Sequence, residues 1–185
     1  MKKFNLLISY IFICLFVLSG LTYSQSYPTD KGSKVITGSF AFSVSGGDLY
    51  ENSEGDKLFT LDLNTTAGFF ISPGFSIGGK VQYNNTSQSG YSYTQIGIGP
   101  QIAHYFGSGE RRSYPFINAS VLFISRTSAV TGYQIYFGGG VCVMAAKSIG
   151  ISGELGYQVE SLSHDSYSAT GSRISLSIGI KAFFF

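Results

Sequence analysis

Five charged residues stand in stretches where apolar and small polar side chains alternate: Asp62, Lys80, Glu154, Arg173 and Lys181. Each shares its period-two face with Ser, Thr, Gly, Asn or Gln. Two acids and three bases brought into one enclosed space must neutralise one another, because an isolated buried ion is costly. The chemistry predicted for them is therefore ion pairing, with Asp62 and Glu154 sharing Lys80, Lys181 and Arg173, and with Gln82, Gln95, Gln101 and Gln158 filling the remaining hydrogen bonds. A solute-opened gate is the sharper reading of the same residues. Catalytic candidates are few. His164-Asp165-Ser166 offers a base two residues from a hydroxyl, but in a Ser-rich loop without the rigid frame that a base needs against its nucleophile. His104 adjoins Tyr105 and Phe106 and reads as an interfacial residue rather than a ligand. The acids Asp48, Glu51, Glu54 and Asp56 lack EF-hand spacing and read as a solvated loop. The sequence thus predicts no catalytic, cofactor or metal site.

The elements that carry these charges are strands. From Arg173 to Phe185, Ile174, Leu176, Ile178, Ile180, Ala182 and Phe184 fall on one face, and Arg173, Ser175, Ser177, Gly179 and Lys181 on the other. The same two-faced pattern begins at Lys34 and recurs from Phe59, Phe75, Gln95, Pro115, Tyr133 and Ile149. That makes eight strands of roughly ten residues, the length a tilted strand needs to cross a bilayer. Polar loops are predicted at Gly46–Asp56, Asn84–Gly90, Arg126–Thr131 and Glu160–Gly171, and briefer turns at Ser72, Gly107 and Ala145. A polar face wetted by water should be about 25–35% charged. Here it holds five charges among small neutral groups, which suits a crowded lumen, and a basic residue on a lipid face would cost about 2–4 kcal/mol at mid-depth. The predicted fold is all-β: a closed, eight-stranded, antiparallel, up-and-down transmembrane β-barrel.

The bulk properties agree. The chain has 185 residues, enough for one domain, with 24 glycines, no tryptophan, 12% charged and 16% aromatic residues. Lys2 and Lys3 precede an apolar run from Leu6 to Leu18 and then small polar residues, the pattern of a cleaved signal peptide over residues 1–24, with the barrel domain over 25–185. Without the two leader lysines, ten basic and ten acidic residues remain, so no nucleic-acid footprint is left. Cys14 lies in the leader, so Cys142 would have no intrachain disulfide partner.

Gly97-Ile98-Gly99-Pro100-Gln101, the hairpin running from Gly138-Gly139-Gly140-Val141 to Gly153-Glu154-Leu155-Gly156-Tyr157, and the aromatic C-terminus together carry a family likeness. They resemble the small outer-membrane β-barrel family typified by the OmpA transmembrane domain and OmpX. The resemblance implies an integral protein of the bacterial outer membrane, with both termini periplasmic and with lipid and lipopolysaccharide around it. It also implies recognition by the barrel-assembly machinery through the last strand, where Ile178, Ile180, Phe184 and Phe185 would form the signal. The role implied is structural and surface display, including adhesion to host or surface ligands through the loops. Three other readings remain: a narrow passive porin-like channel, a secreted soluble ligand-binding barrel, and a lipid A-modifying barrel enzyme. The last rests on the H-x-S spacing, which resembles the lipid A 3-O-deacylase family without the Asn that follows in its motif.

Overall fold

The computed structural model describes residues 27–46, 59–88, 91–107, 109–127, 130–164 and 167–185. The leader, the Asp48–Asp56 acids and Asp165-Ser166 lie outside them. Eight strands follow in chain order: β1 (Lys34–Gly46), β2 (Phe59–Ser72), β3 (Phe75–Gln88), β4 (Tyr91–Tyr105), β5 (Ser113–Arg126), β6 (Val130–Ala146), β7 (Ile149–His164) and β8 (Tyr167–Phe184). Each pairs antiparallel with its neighbours in sequence, and β1 pairs with β8 from Lys34↔Phe184 to Gly46↔Ser172, which closes the barrel. A closed ring leaves no unpaired sheet edge, the condition for a sheet to cross hydrocarbon.

The register fixes the tilt. Starting at Val35 and stepping through Gly68, Gly78, Gln101, Ser120, Tyr136, Gln158 and Arg173, the walk returns to β1 at Ser45, ten residues further on. With ordinary strand spacing and rise, that stagger tilts the strands by about 40° and gives each residue about 2.5 Å of height.

Apolar side chains face outward on every strand, and the outermost reach exposures of 62% at Leu155 and 61% at Phe123 and Ile180. On β6 the exposed set runs from Val143 to Tyr133, about 25 Å of height, which matches a lipid belt. The facing predicted for β5 is the one found, with Ile117, Val121 and Phe123 outward and Leu122 and Ile124 buried. Tyr83, Tyr133 and Tyr157 mark the belt's upper margin, and Phe69 and Phe106 the lower, where Phe106 meets His104 edge-on at 4.7 Å.

The strands are longer than predicted, from 13 residues in β1 to 18 in β8. Three predicted loops are corrected by this. Asn84–Gln88 continues β3, Arg126 belongs to β5 and Val130-Thr131 to β6, and Glu160–His164 and Tyr167–Gly171 belong to β7 and β8. Apolar alternation stops at the margin of the outward apolar belt, whereas backbone pairing continues beyond it. The two longest extensions, ending at Gln88↔Tyr91 and His164↔Tyr167, are four strands apart and so stand on opposite sides of the ring. β5 and β6 end lower, at Arg126↔Val130. At the other end the chain turns near the belt's edge. Gly74, with φ 77°, closes the β2–β3 turn, and a Cβ there would lie 2.5 Å from the Tyr105 carbonyl.

Candidate functional site

The inward positions of these strands form a lumen in three layers. At the short-turn end, Val35, Phe70, Ala103, Tyr105, Tyr114, Phe116, Cys142 and Phe183 are buried against one another, with Met144 and Phe185 packed on them. Tyr105 is central, its ring 5.4 Å from Phe70 and from Phe116 and 6.2 Å from Phe183. The Tyr114 hydroxyl donates to the Gly109 carbonyl at 2.7 Å and accepts the Arg111 N–H at 3.1 Å. Below this layer the lead-in folds under the barrel. The Gly32 N–H donates to Phe70 O at 2.8 Å, the Phe70 N–H to Ser33 O at 2.9 Å, and the Gly74 N–H to Thr29 O at 2.8 Å. Sequence reading missed this apolar floor, because the inward aromatics are scattered over four strands, β2, β4, β5 and β8.

The middle layer holds two lysines on aromatic faces. Lys181 Nζ lies 4.2 Å from the Phe116 ring centre and 5.6 Å from that of Tyr105, roofing the apolar floor. Lys80 Nζ lies 3.9 Å from the Tyr136 ring centre. The Tyr136 hydroxyl donates to Glu154, which also accepts Asn118 Nδ2–H at 2.9 Å. Tyr136 reaches across the lumen because Gly138 and Gly156 beneath it carry no side chain, and a Cβ at either would overlap it.

The upper layer is an ion cluster. Arg173 pairs with Glu160 through Nη2 and lies 3.5 Å from Asp62 through Nη1. Asp62 also accepts from Asn84 and, at 3.4 Å, from the Ser43 hydroxyl. Arg126 reaches Glu160 at 3.4 Å and donates to Gln95 Oε1 at 2.6 Å. Gln134 Nε2 bridges Gln82 and Gln158 at 2.9 and 3.0 Å, and Gln158 donates to Glu160 at 3.1 Å. Of the five charges singled out in sequence, the structure joins Asp62 to Arg173, gives Glu154 to Tyr136 and Asn118, and sets Lys80 and Lys181 on rings. Glu160, Arg126 and Asn84 were assigned to loops. Their positions two residues beyond Gln158, Ile124 and Gln82 were the available signal.

Among the described residues the central cavity is small. The cavity among Asp62, Lys80, Tyr136, Glu154 and Lys181 holds about 30 Å³, room for about one water. Among the described residues no three of His, Cys, Asp and Glu gather as a metal site would need. On the last strand, Ile178 and Ile180 face outward, while Phe184 and Phe185 are half-buried at the short-turn end. The side chain of His164 and residues 165–166 lie outside the described set.

No family model and no curated protein matches the chain. Among solved structures it is similar to Neisserial surface protein A, at 13% identity and a TM-score of 0.66, over 84% of this chain and 100% of that one. It is also similar to the outer membrane protein OprG from Pseudomonas aeruginosa (12%, 0.55, 86% of this chain and 99% of that one). A third likeness is to the outer membrane enzyme PagL (13%, 0.54, 77% and 97%). At these identities the common property is the closed eight-stranded barrel.

Proposed function

We propose that this protein is an integral barrel of the bacterial outer membrane whose role is structural and surface display, without catalysis or conduction. The observation that carries the reading is the pairing of a lipid-compatible exterior with a filled interior. Outward Ile, Leu and Phe would be costly in water, and among the described residues the cavity between Asp62, Lys80, Tyr136, Glu154 and Lys181 holds about 30 Å³, room for about one water, which supports a closed lumen. A secreted ligand-binding barrel would need the apolar face inside.

The short-turn end, flush with the belt, faces the periplasm in this reading, and both termini lie there. The end whose strands rise past the belt faces outward, among lipopolysaccharide, and presents its loops to host or surface ligands. Assembly proceeds through the barrel-assembly machinery, which reads β8 with Ile178, Ile180, Phe184 and Phe185. Residues 1–24 act as the cleaved leader. Three measurements test this. Folded protein in the membrane fraction runs at a different gel mobility from boiled protein; a leaderless form soluble without detergent would refute the membrane assignment. In planar bilayers the purified protein and its Glu154→Ala variant show no discrete channel, and stepwise currents from the wild type would restore the porin-like alternative. Expression leaves lipid A acylation unchanged, with or without His164→Ala; loss of acyl chains that depends on His164 would make it an enzyme.

A further inference from the structure

Most glycines of this barrel face inward, where a side chain would strike the opposite wall or a neighbouring strand. Gly38, Gly79, Gly139 and Gly153 do not, and the last two lie together on the β6–β7 face. Both occupy outward positions, a Cβ on Gly153 would meet nothing within 4 Å, and one on Gly139 would make only ordinary contacts at 3.6–3.7 Å. Neither has a positive φ, so backbone geometry requires glycine at neither. Their bare backbone floors an open apolar groove of about 670 Å³ on the lipid face, walled by Val141, Val143, Ile151, Leu155, Leu176 and Ile178. The groove's lower end is the pair Val143↔Ile151, and the hairpin below it turns through Lys147-Ser148. Lys147 is exposed there, as is Arg112, whose carbonyl accepts the Met144 N–H at 2.8 Å. From Lys147 in the turn to Gly153 is six residues, four of them along β7, at most about 15 Å of height at this tilt, the scale of an acyl chain hung from its headgroup.

From this geometry we propose that the β6–β7–β8 face is a binding site for one anionic glycerophospholipid, its chain in the groove and its phosphate at Lys147 and Arg112. The charge pattern selects this occupant. Gly79, the outward glycine of β3, stands above the Pro73-Gly74 turn, whose own residues carry no charge, whereas the β6–β7 turn itself supplies Lys147. The inference rests on the membrane reading above, and its test separates the two. The full barrel is folded in detergent micelles, its folding is verified by gel mobility, and palmitoyl-oleoyl phosphatidylglycerol or phosphatidylcholine is titrated with native mass spectrometry. Phosphatidylglycerol is retained in preference to phosphatidylcholine. Retention weakens about fivefold for each of Lys147→Gln and Arg112→Gln. It is lost in Gly153→Leu and in Gly139→Leu, and is unchanged in Gly79→Leu. Equal retention of the two lipids, or retention indifferent to filling the groove, overturns the site while leaving the barrel assignment intact. A dimer mass that disappears in Gly153→Leu also overturns it, since the groove then belongs to a second copy of the chain.

Discussion

Replacing Arg173 by methionine is the most direct test of how the lumen is held together. Arg173 is 2% exposed and lies between Asp62 and Glu160, the latter fully buried. Methionine keeps much of the volume and removes the cation, so two carboxylates remain where no bulk water reaches. Breaking a buried pair from one side costs about 3–5 kcal/mol. Here the lower end applies, because Glu160 keeps Arg126 and Gln158, and Asp62 keeps Asn84 and Ser43. With a urea dependence of about 2 kcal/mol per molar, a loss of about 3 kcal/mol lowers the unfolding midpoint by about 1.5 M. The chain has no tryptophan, so unfolding in lipid vesicles is followed by the mobility of folded and unfolded bands. Neutralising Asp62 as well, in Arg173→Met/Asp62→Asn, returns stability to within about 1 kcal/mol of wild type, since Glu160 keeps Arg126 and no charge is then left buried alone. A cost below about 1 kcal/mol for Arg173→Met, the range of an exposed pair, refutes the reasoning. So does a double variant no more stable than the single one.

Three further outcomes use the same assay. Gly156→Ala drives a methyl into the Tyr136 ring and destabilises by about 1–3 kcal/mol, whereas Gly153→Ala, on the same strand but facing open space on the outer side, changes stability by less than about 0.5 kcal/mol. Leu155→Arg, at mid-belt, costs about 2–4 kcal/mol and Val44→Arg, near the upper margin, about 0–1; equal costs would mean that lipid does not surround this face. Gly74→Ala combines a left-handed φ with a close approach to the Tyr105 carbonyl and slows or lowers recovery of the folded band by more than the about 1–2 kcal/mol of the backbone term alone.

Facing was legible in sequence because alternation records one thing, the change of solvent across the sheet. Leu61, Asp62 and Leu63 can be sorted by inspection, and the structure sorts them the same way. Strand length was not legible, because above the belt both faces are polar and the pattern that marks a strand disappears even though pairing continues. Gln158, Glu160 and Leu162 all point inward, yet Glu160 and Leu162 read as loop once the outward partners become Ser161 and Ser163. The site suffered from the same cause: Glu160 and Arg126, two of the ions at its upper layer, sit past the last lipid-facing residues of their strands. The apolar floor was hidden for a different reason. Phe70, Tyr105, Phe116 and Phe183 are each unremarkable inside a polar face, and only the ten-residue stagger of the ring brings them to one level.

The two opposed hairpin extensions bear on how this molecule meets its surroundings. Gln88 stands five residues beyond Tyr83 on β3, about 12 Å clear of the belt's margin, and the β7–β8 pair rises at least as far across the ring. With this end facing outward as proposed, a peptide epitope inserted between Gln88 and Tyr91, or between His164 and Tyr167, would be carried on a hydrogen-bonded stalk above the headgroups. The same epitope placed between Arg126 and Val130 would start lower, in the saddle that the stalks flank. Antibody access on intact cells would then rank by ladder height rather than by the length of the grafted segment.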